Sequence, residues 1–242
     1  RRWRKRGMRK YGKGRWPRSS YRKKRRFYKK RRGRKGRSGY MLGRGSVWPK
    51  FTLFKFRYVT NISLDPGAMG AVSSWLFGAN SIQDPDITGT GHQPMGHDQM
   101  ALLYNKALVV GSKLTARFTN TDTDQQQFVG IYSSESGTAP GGDAQDFIEN
   151  GASFATLAGA SDGSPNIKTV SAKFSAKRSF GIVHPMTEAD DIGAVIGSLV
   201  KRLWHFRIWA ASCKPVDTNV VDVCVFMQFI VIGFDPKIQG PS

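Results

Sequence analysis

Cysteine is scarce in this chain. Cys213 and Cys224 are the two in 242 residues, too few for a disulfide scaffold and in keeping with synthesis in a reducing compartment. Long apolar runs are also missing. The longest, Val223 to Phe234, is interrupted by Gln228 and falls well short of the ~20 residues a membrane helix needs, so no membrane insertion is expected. The N-terminal stretch lacks the apolar segment of a secretory signal. Acid is what the first 38 positions lack altogether, although they hold 22 Lys and Arg. The totals of 38 basic and 17 acidic residues leave 16 and 17 for residues 39–242. The first segment is therefore +22 and the remainder −1. An enzyme with a basic surface would spread its charge over the fold; here the asymmetry points to a polyanionic partner.

Residues 1–38 have Met8 as their one aliphatic side chain and glycines at 7, 12, 14, 33 and 36. Without apolar side chains to bury, and with charges that repel, this segment is expected to be a disordered arm when free. Its candidate binding cations are Arg1, Arg2, Arg4, Lys5, Arg6, Arg9 and Lys10 around Trp3, then Arg15 and Arg18 around Trp16. A third group, Arg22, Lys23, Lys24, Arg25, Arg26, Lys29, Lys30, Arg31, Arg32, Arg34, Lys35 and Arg37, surrounds Phe27 and Tyr28. Lys and Arg neutralise phosphates and release counterions. Interleaved aromatic faces, Tyr11 and Tyr21 among them, stack on unpaired bases without regard to sequence. The arm thus reads as a binding segment for single-stranded nucleic acid. KKRRFYKKRRGRK, residues 23–35, would also serve a nuclear import receptor.

Residues 39–49 form a linker, and strand signals begin after Pro49. In residues 51–64, Phe54, Phe56, Tyr58, Ile62 and Leu64 share one parity while Lys55 and Arg57 fall on the other, the two-residue period of a half-buried strand. The pattern recurs in 107–119, where Leu108, Val110, Leu114, Ala116 and Phe118 oppose Lys113, Arg117 and Thr119. Further strands are expected at 126–132, 167–176 and 201–211. In the last, Trp204, Phe206, Ile208 and Ala210 alternate with Lys201, His205 and Arg207. Residues 221–234 are apolar on both parities apart from Asp222 and Gln228, which predicts a central strand covered on both sides. Long polar loops occupy 79–97, 133–146, 158–166 and 185–193. Short helices are expected at 98–105 with Asp98 as N-cap, at 143–150 and at 191–200. Many strands with long loops make an all-β, two-sheet sandwich, and loops of this length on an assembling protein supply contact surface.

No catalytic constellation emerges, no cofactor motif is present and no metal site is expected. Gly159–Gly163 matches the G-x-S-x-G elbow around Ser161, but Ser164, Pro165 and Asn166 follow where that elbow needs a helix. Pro94 and Gly96 keep His92 and His97 off a shared helical face, so both read as polar loop residues, and His205 as polar surface. Asp84 with Asp86, and Glu188 with Asp190 and Asp191, read as solvated loop charge, with Ca²⁺ bridging between subunits as the alternative. Cys213 and Cys224 read as core residues. Trp204 and Trp209, on opposite parities of one strand, suggest one in the core and one at an interface.

A basic, aromatic N-terminus followed by a β-only body of some 200 residues resembles the capsid proteins of circoviruses and related circular single-stranded DNA viruses. QPMGHDQMALLYNKALVVGSKLTARFTN, residues 93–120, is the most telling block, similar to a helix-then-strand segment in that group. The resemblance implies an eight-stranded jelly roll over 50–242, a homo-oligomer of roughly sixty copies in an icosahedral shell, and an arm directed onto a single-stranded DNA genome, with RNA the alternative. It also implies localisation to the virion and the host nucleus, and a host attachment receptor. Roughly sixty arms carry on the order of 1,300 positive charges, enough for a genome of about 1,000–2,000 phosphates. Lys55, Arg57, Lys113 and Arg117, on strands expected in one sheet, are a second candidate nucleic-acid set. A ribosomal-type, non-viral nucleic-acid-binding protein with a basic extension is the competing reading, and a near-neutral body argues against it. A β-sandwich enzyme with a nucleic-acid anchor would need a convergent polar cluster that the sequence does not show.

Overall fold

The computed structural model describes residues 48–120, 125–159, 166–213 and 220–238. Nine strands carry the fold: β1 (Phe51–Leu64), β2 (Val72–Gly78), β3 (Tyr104–Asn120), β4 (Gln127–Ser134), β5 (Ser153–Leu157), β6 (Asn166–Ser175), β7 (Ala194–Val195), β8 (His205–Ser212) and β9 (Val221–Pro236). Four short helices interrupt them: α1 (His97–Leu103), α2 (Ala144–Glu149), α3 (Ala176–Ser179) and α4 (Ala189–Ile192).

Two antiparallel sheets result, ordered β1-β9-β3-β6 and β2-β8-β4-β5, with the two-residue β7 beside β3. Without β7, the eight remaining strands give four in each sheet, and consecutive strands repeatedly cross from one sheet to the other. That is the double Greek key of a jelly roll. Alternation decides which side chains enter the core. In β1, Phe56, Tyr58, Ile62 and Leu64 are buried, while Lys55 and Arg57 are exposed. From the other sheet, Phe77, Val129, Ile131, Phe206 and Ile208 meet them in one continuous cluster. Each fully buried Phe, Leu or Ile contributes about 1.5–3 kcal/mol.

β9 lies between β1 and β3, as its apolar sequence predicts. It is covered on one side rather than two. Val221, Val223, Val225, Met227, Phe229 and Val231 are buried, but Asp222, Cys224, Gln228 and Ile230 are exposed. Apolar residues on both parities signalled a second layer; among the described residues nothing lies over the outer one. The single inward face expected for 107–119 is also corrected. A register shift between Val109 and Gly111 places Val109 opposite Val231 but Ser112 opposite Phe229. The bulge at Val110 therefore changes the inward parity from odd to even.

The helices depart from expectation at their ends. α1 starts at His97 because Gly96 takes the left-handed φ of 92° that turns the chain into it, so Asp98 lies in the first turn and is not the N-cap. α2 follows the reading, with Asp143 as N-cap and its backbone N–H donating to Asp146 Oδ2 at 3.4 Å. The helix expected over 191–200 is instead the single turn of α4. Gly193 ends it where a Cβ would stand 2.5 Å from the Ala189 carbonyl and 3.0 Å from that of Ala107, and the chain then pairs with β3 as β7.

Candidate nucleic-acid interface

The arm residues, Arg1 through Arg37, lie outside the described residues, as do Ser161 and its elbow-like string. The second set can be placed. Lys55 and Arg57 on β1, and Lys113 and Arg117 on β3, all belong to the β1-β9-β3-β6 sheet. Residues directly paired across an antiparallel ladder share a face. The register runs Arg57, Gln228, Lys113, Lys173 across four strands. Neighbouring rows run Lys55, Ile230, Gly111 and Asn61, Cys224, Arg117, Thr169. All four predicted cations thus project from the same outer face, the one β9 leaves uncovered.

None of these cations belongs to an ion pair among the described residues. The reason is compositional. β1, β3 and β6 contain no Asp or Glu, and the first acid on this face is Asp222, three alternate positions down β9 from Gln228 and engaged by the Ser63 hydroxyl at 2.9 Å. The body is near neutral in sum yet polarised in space, with its acids mostly in loops. Between the cationic rows, Val59, Phe226 and Thr115 form an apolar row, with Ile230 on the other side. Two open depressions share Gln228 and Ile230. One is bordered by Lys55 and Arg57; the other, of about 470 Å³, by Lys113, Lys173 and Arg178. Cations flanking apolar surface suit a single strand, whose phosphates and bases need both.

Lys173 and Arg178 were missed in the sequence. The signal was present, since Thr169, Ser171 and Lys173 alternate with buried Val170 and Phe174.

Other sequence candidates resolve differently. His97 is buried rather than a polar loop residue, its Nδ1 3.2 Å from Asp98 Oδ1. His92 is exposed and stacks on Tyr58, ring centroids 4.7 Å apart. Asp86 is no solvated charge. It is buried, and its Oδ1 accepts from Trp75 Nε1 at 2.9 Å and from the Thr88 amide and hydroxyl at 3.1 and 2.7 Å. Burial, reinforced by that carboxylate, raises both Asp84 and Tyr58. Glu188, Asp190 and Asp191 are exposed, in keeping with solvated charge, and Lys106 and Lys201 stand 3.2 and 3.8 Å from Asp190 and Asp191. Cys224 is exposed and Cys213 only half-buried, so neither is a core residue. Trp204 lies just before β8 and Trp209 within it. Trp209 is fully buried against Phe147 of α2, and Trp204 packs on Phe174 and Phe180.

His205 is half-buried instead of polar surface. Its neutral Nδ1–H donates to the Glu135 carbonyl at 2.9 Å. Burial, with Arg207 nearby, holds its imidazole below the usual histidine range. The unfolded chain, with an ordinary value of about 6.5, then binds the proton more readily. Stability is fully present above about pH 6.5 and declines as pH falls from there toward the lower folded-state value. His205→Gln is expected to flatten urea midpoints between about pH 5 and 7; an unaltered profile would remove His205 as the source.

No family model and no curated protein matches the chain. Solved structures do. A Desmodium yellow mottle tymovirus structure aligns over 83% of this chain and 97% of its own at 11% identity, TM-score 0.40. A semi-empty virus-like particle of the giant freshwater prawn (Macrobrachium rosenbergii) nodavirus aligns over 79% and 86% at 10% identity, TM-score 0.46. A decameric BFDV capsid protein aligns over 76% and 99% at 9% identity, TM-score 0.40.

Proposed function

We propose that this chain is a structural viral capsid protein that self-assembles into a small icosahedral shell and packages single-stranded DNA through residues 1–38. The observation that carries the reading is the partition of charge. Twenty-two cations and no acid stand in residues 1–38, joined to a jelly roll of net charge −1. A folded unit without strong net charge is free to pack against copies of itself, while a polycation of this density needs a polyanion. The aromatics at Trp3, Trp16, Phe27 and Tyr28 favour unpaired bases. In this reading Lys55, Arg57, Lys113 and Arg117 add a second, weaker set of phosphate contacts. The circovirus-like affiliation, the roughly sixty-copy shell and passage through the host nucleus belong to the same proposal.

Self-association also has surface to use. Met95, Leu102, Val183, Val195 and Leu199 are more than half exposed, all in or beside the segments that connect strands. Exposed apolar groups of this kind mark contact sites on proteins that associate.

Electron microscopy of the purified full-length protein tests the proposal. Uniform closed shells enclosing nuclease-protected nucleic acid are expected. A monomer at all concentrations, or shells no more protective than buffer, would overturn it. Leu102→Asp with Leu199→Asp is expected to leave the circular dichroism spectrum unaltered and reduce shell yield at least about tenfold, since burying each unpaired carboxylate in an interface costs more than 1 kcal/mol.

A further inference from the structure

We infer that the depression between β3, β6 and α3 is a seat for phosphate groups, occupied in the particle by the backbone of the packaged single strand. The occupant rests on the proposed packaging role; the anion site itself rests on geometry.

Lys113 and Lys173 are directly opposed across the β3–β6 ladder. Like charges in that position destabilise a sheet. Arg178 of α3 adds a third cation to the same depression, and no acidic side chain lines it. The chain offers no remedy nearby, because residues 166–187 and 99–120 contain no Asp or Glu. Three cations gathered without a counter-charge await an anion from outside. The remaining lining supplies what a tetrahedral anion needs. Ser175 and Ser179 bring hydroxyl donors. Gly111, between Ile230 and Ser175 in the register, leaves the floor without a side chain. A Cβ there would find ordinary van der Waals room, its nearest neighbour the Phe174 carbonyl at 3.4 Å, so the glycine is not imposed by packing. It keeps the depression open.

The opposed lysines make a prediction that a merely solvated surface would not. Neutralising one should stabilise the unliganded fold and weaken the liganded one. The test is thermal unfolding of the full chain at fixed protein concentration, with inorganic tripolyphosphate as probe, comparing the natural protein with Lys173→Gln/Arg178→Gln. Both proteins keep residues 1–38, so any anion bound there cancels in the comparison. The natural protein is expected to gain about 5 °C at a hundredfold excess over half-saturation. The variant should gain less than about 1 °C, and without ligand it should melt at or above the natural protein. Gly111→Leu, which fills the floor and leaves the charge intact, should also lose the gain. Equal shifts in all three proteins, or a variant that melts lower without ligand, would overturn the site. The source is read with a short oligothymidylate and a heparin-derived oligosaccharide of equal charge. An oligothymidylate shift that the double variant loses supports the nucleic-acid backbone as occupant. A shift with the glycan alone overturns that occupant. If residues 1–38 ignore DNA while the tripolyphosphate shift persists, the packaging arm falls and the phosphate seat stands.

Discussion

Removal of residues 1–38 is expected to abolish high-affinity, salt-sensitive binding of single-stranded DNA while leaving a folded body. For single strands log K falls with log salt at about 0.7 per neutralised phosphate. With about ten of the arm's cations engaged the slope is about −7, and affinity falls about 10⁴-fold between 50 and 200 mM salt. In the truncated protein the six unpaired cations of the outer sheet face and its depression, Lys55, Arg57, Lys113, Arg117, Lys173 and Arg178, support a slope no steeper than about −4. It should nevertheless fold, because residues 40–242 form a compact unit with their own contacts. Titration of a fluorescent oligonucleotide at four salt concentrations reads both quantities. A truncated protein with the full slope would place the binding site in the body and remove the arm from the account.

Trp209→Ala is expected to lower the stability of the body by about 3–5 kcal/mol, the usual cost of deleting a fully buried large aromatic, and the melting temperature by on the order of 10 °C. The indole lies in the second core cluster with Ala144, Phe147, Ala152 and Ala211, where α2 closes over β8. Its ring centroid is 5.1 Å from that of Phe147. Directly across the ladder stands Gly130, where a Cβ would be 2.8 Å from the indole Cε2 and 2.4 Å from the Ser153 carbonyl. The glycine lets the large ring lie flat on the neighbouring strand. Gly130→Val should therefore destabilise by a similar amount. The double change should cost less than the two single costs added together, since the same packing is lost once. Urea unfolding monitored by far-ultraviolet circular dichroism gives all three values. A Trp209→Ala cost below about 1 kcal/mol would mean that α2 is not seated on the sheet.

The fold was legible where alternation was strong. Phe56, Tyr58, Ile62 and Leu64 against Lys55 and Arg57 gave β1 its face and its ends. β9 was placed centrally for the right reason, its apolar length, but its outer face was misjudged because hydrophobicity records burial without saying by what. The bulge at Val110 was invisible, since Leu108, Val109 and Val110 are all apolar and parity has nothing to discriminate. Asp86 was misread because its partners, Trp75 and Thr88, are set by tertiary approach and not by spacing. Lys113 and Arg117 were found from their strand; Lys173 stands on the outward parity of β6 by the same alternation, and its place beside Lys113 is set by the register. The body's near-neutral sum concealed its polarity, which appears only when the register assembles β1, β3 and β6 side by side. This also weakens one argument against a ribosomal-type protein, leaving the arm's extreme composition as the stronger discriminator.

The pairing of β1 with β9 joins residue 51 to residue 234 and residue 64 to residue 221, so the first and last strands of the body are neighbours, with β9 also separating β1 from β3. During synthesis, β1 has no native partner in its sheet until residues 221–234 have been made. Closure so non-local in sequence is slow and leaves strand edges open to aggregation meanwhile. A chain that stopped before residue 221 would lack the strand on which both neighbours register. Topology alone thus makes the closing of this sheet wait for β9, the one strand that both β1 and β3 require.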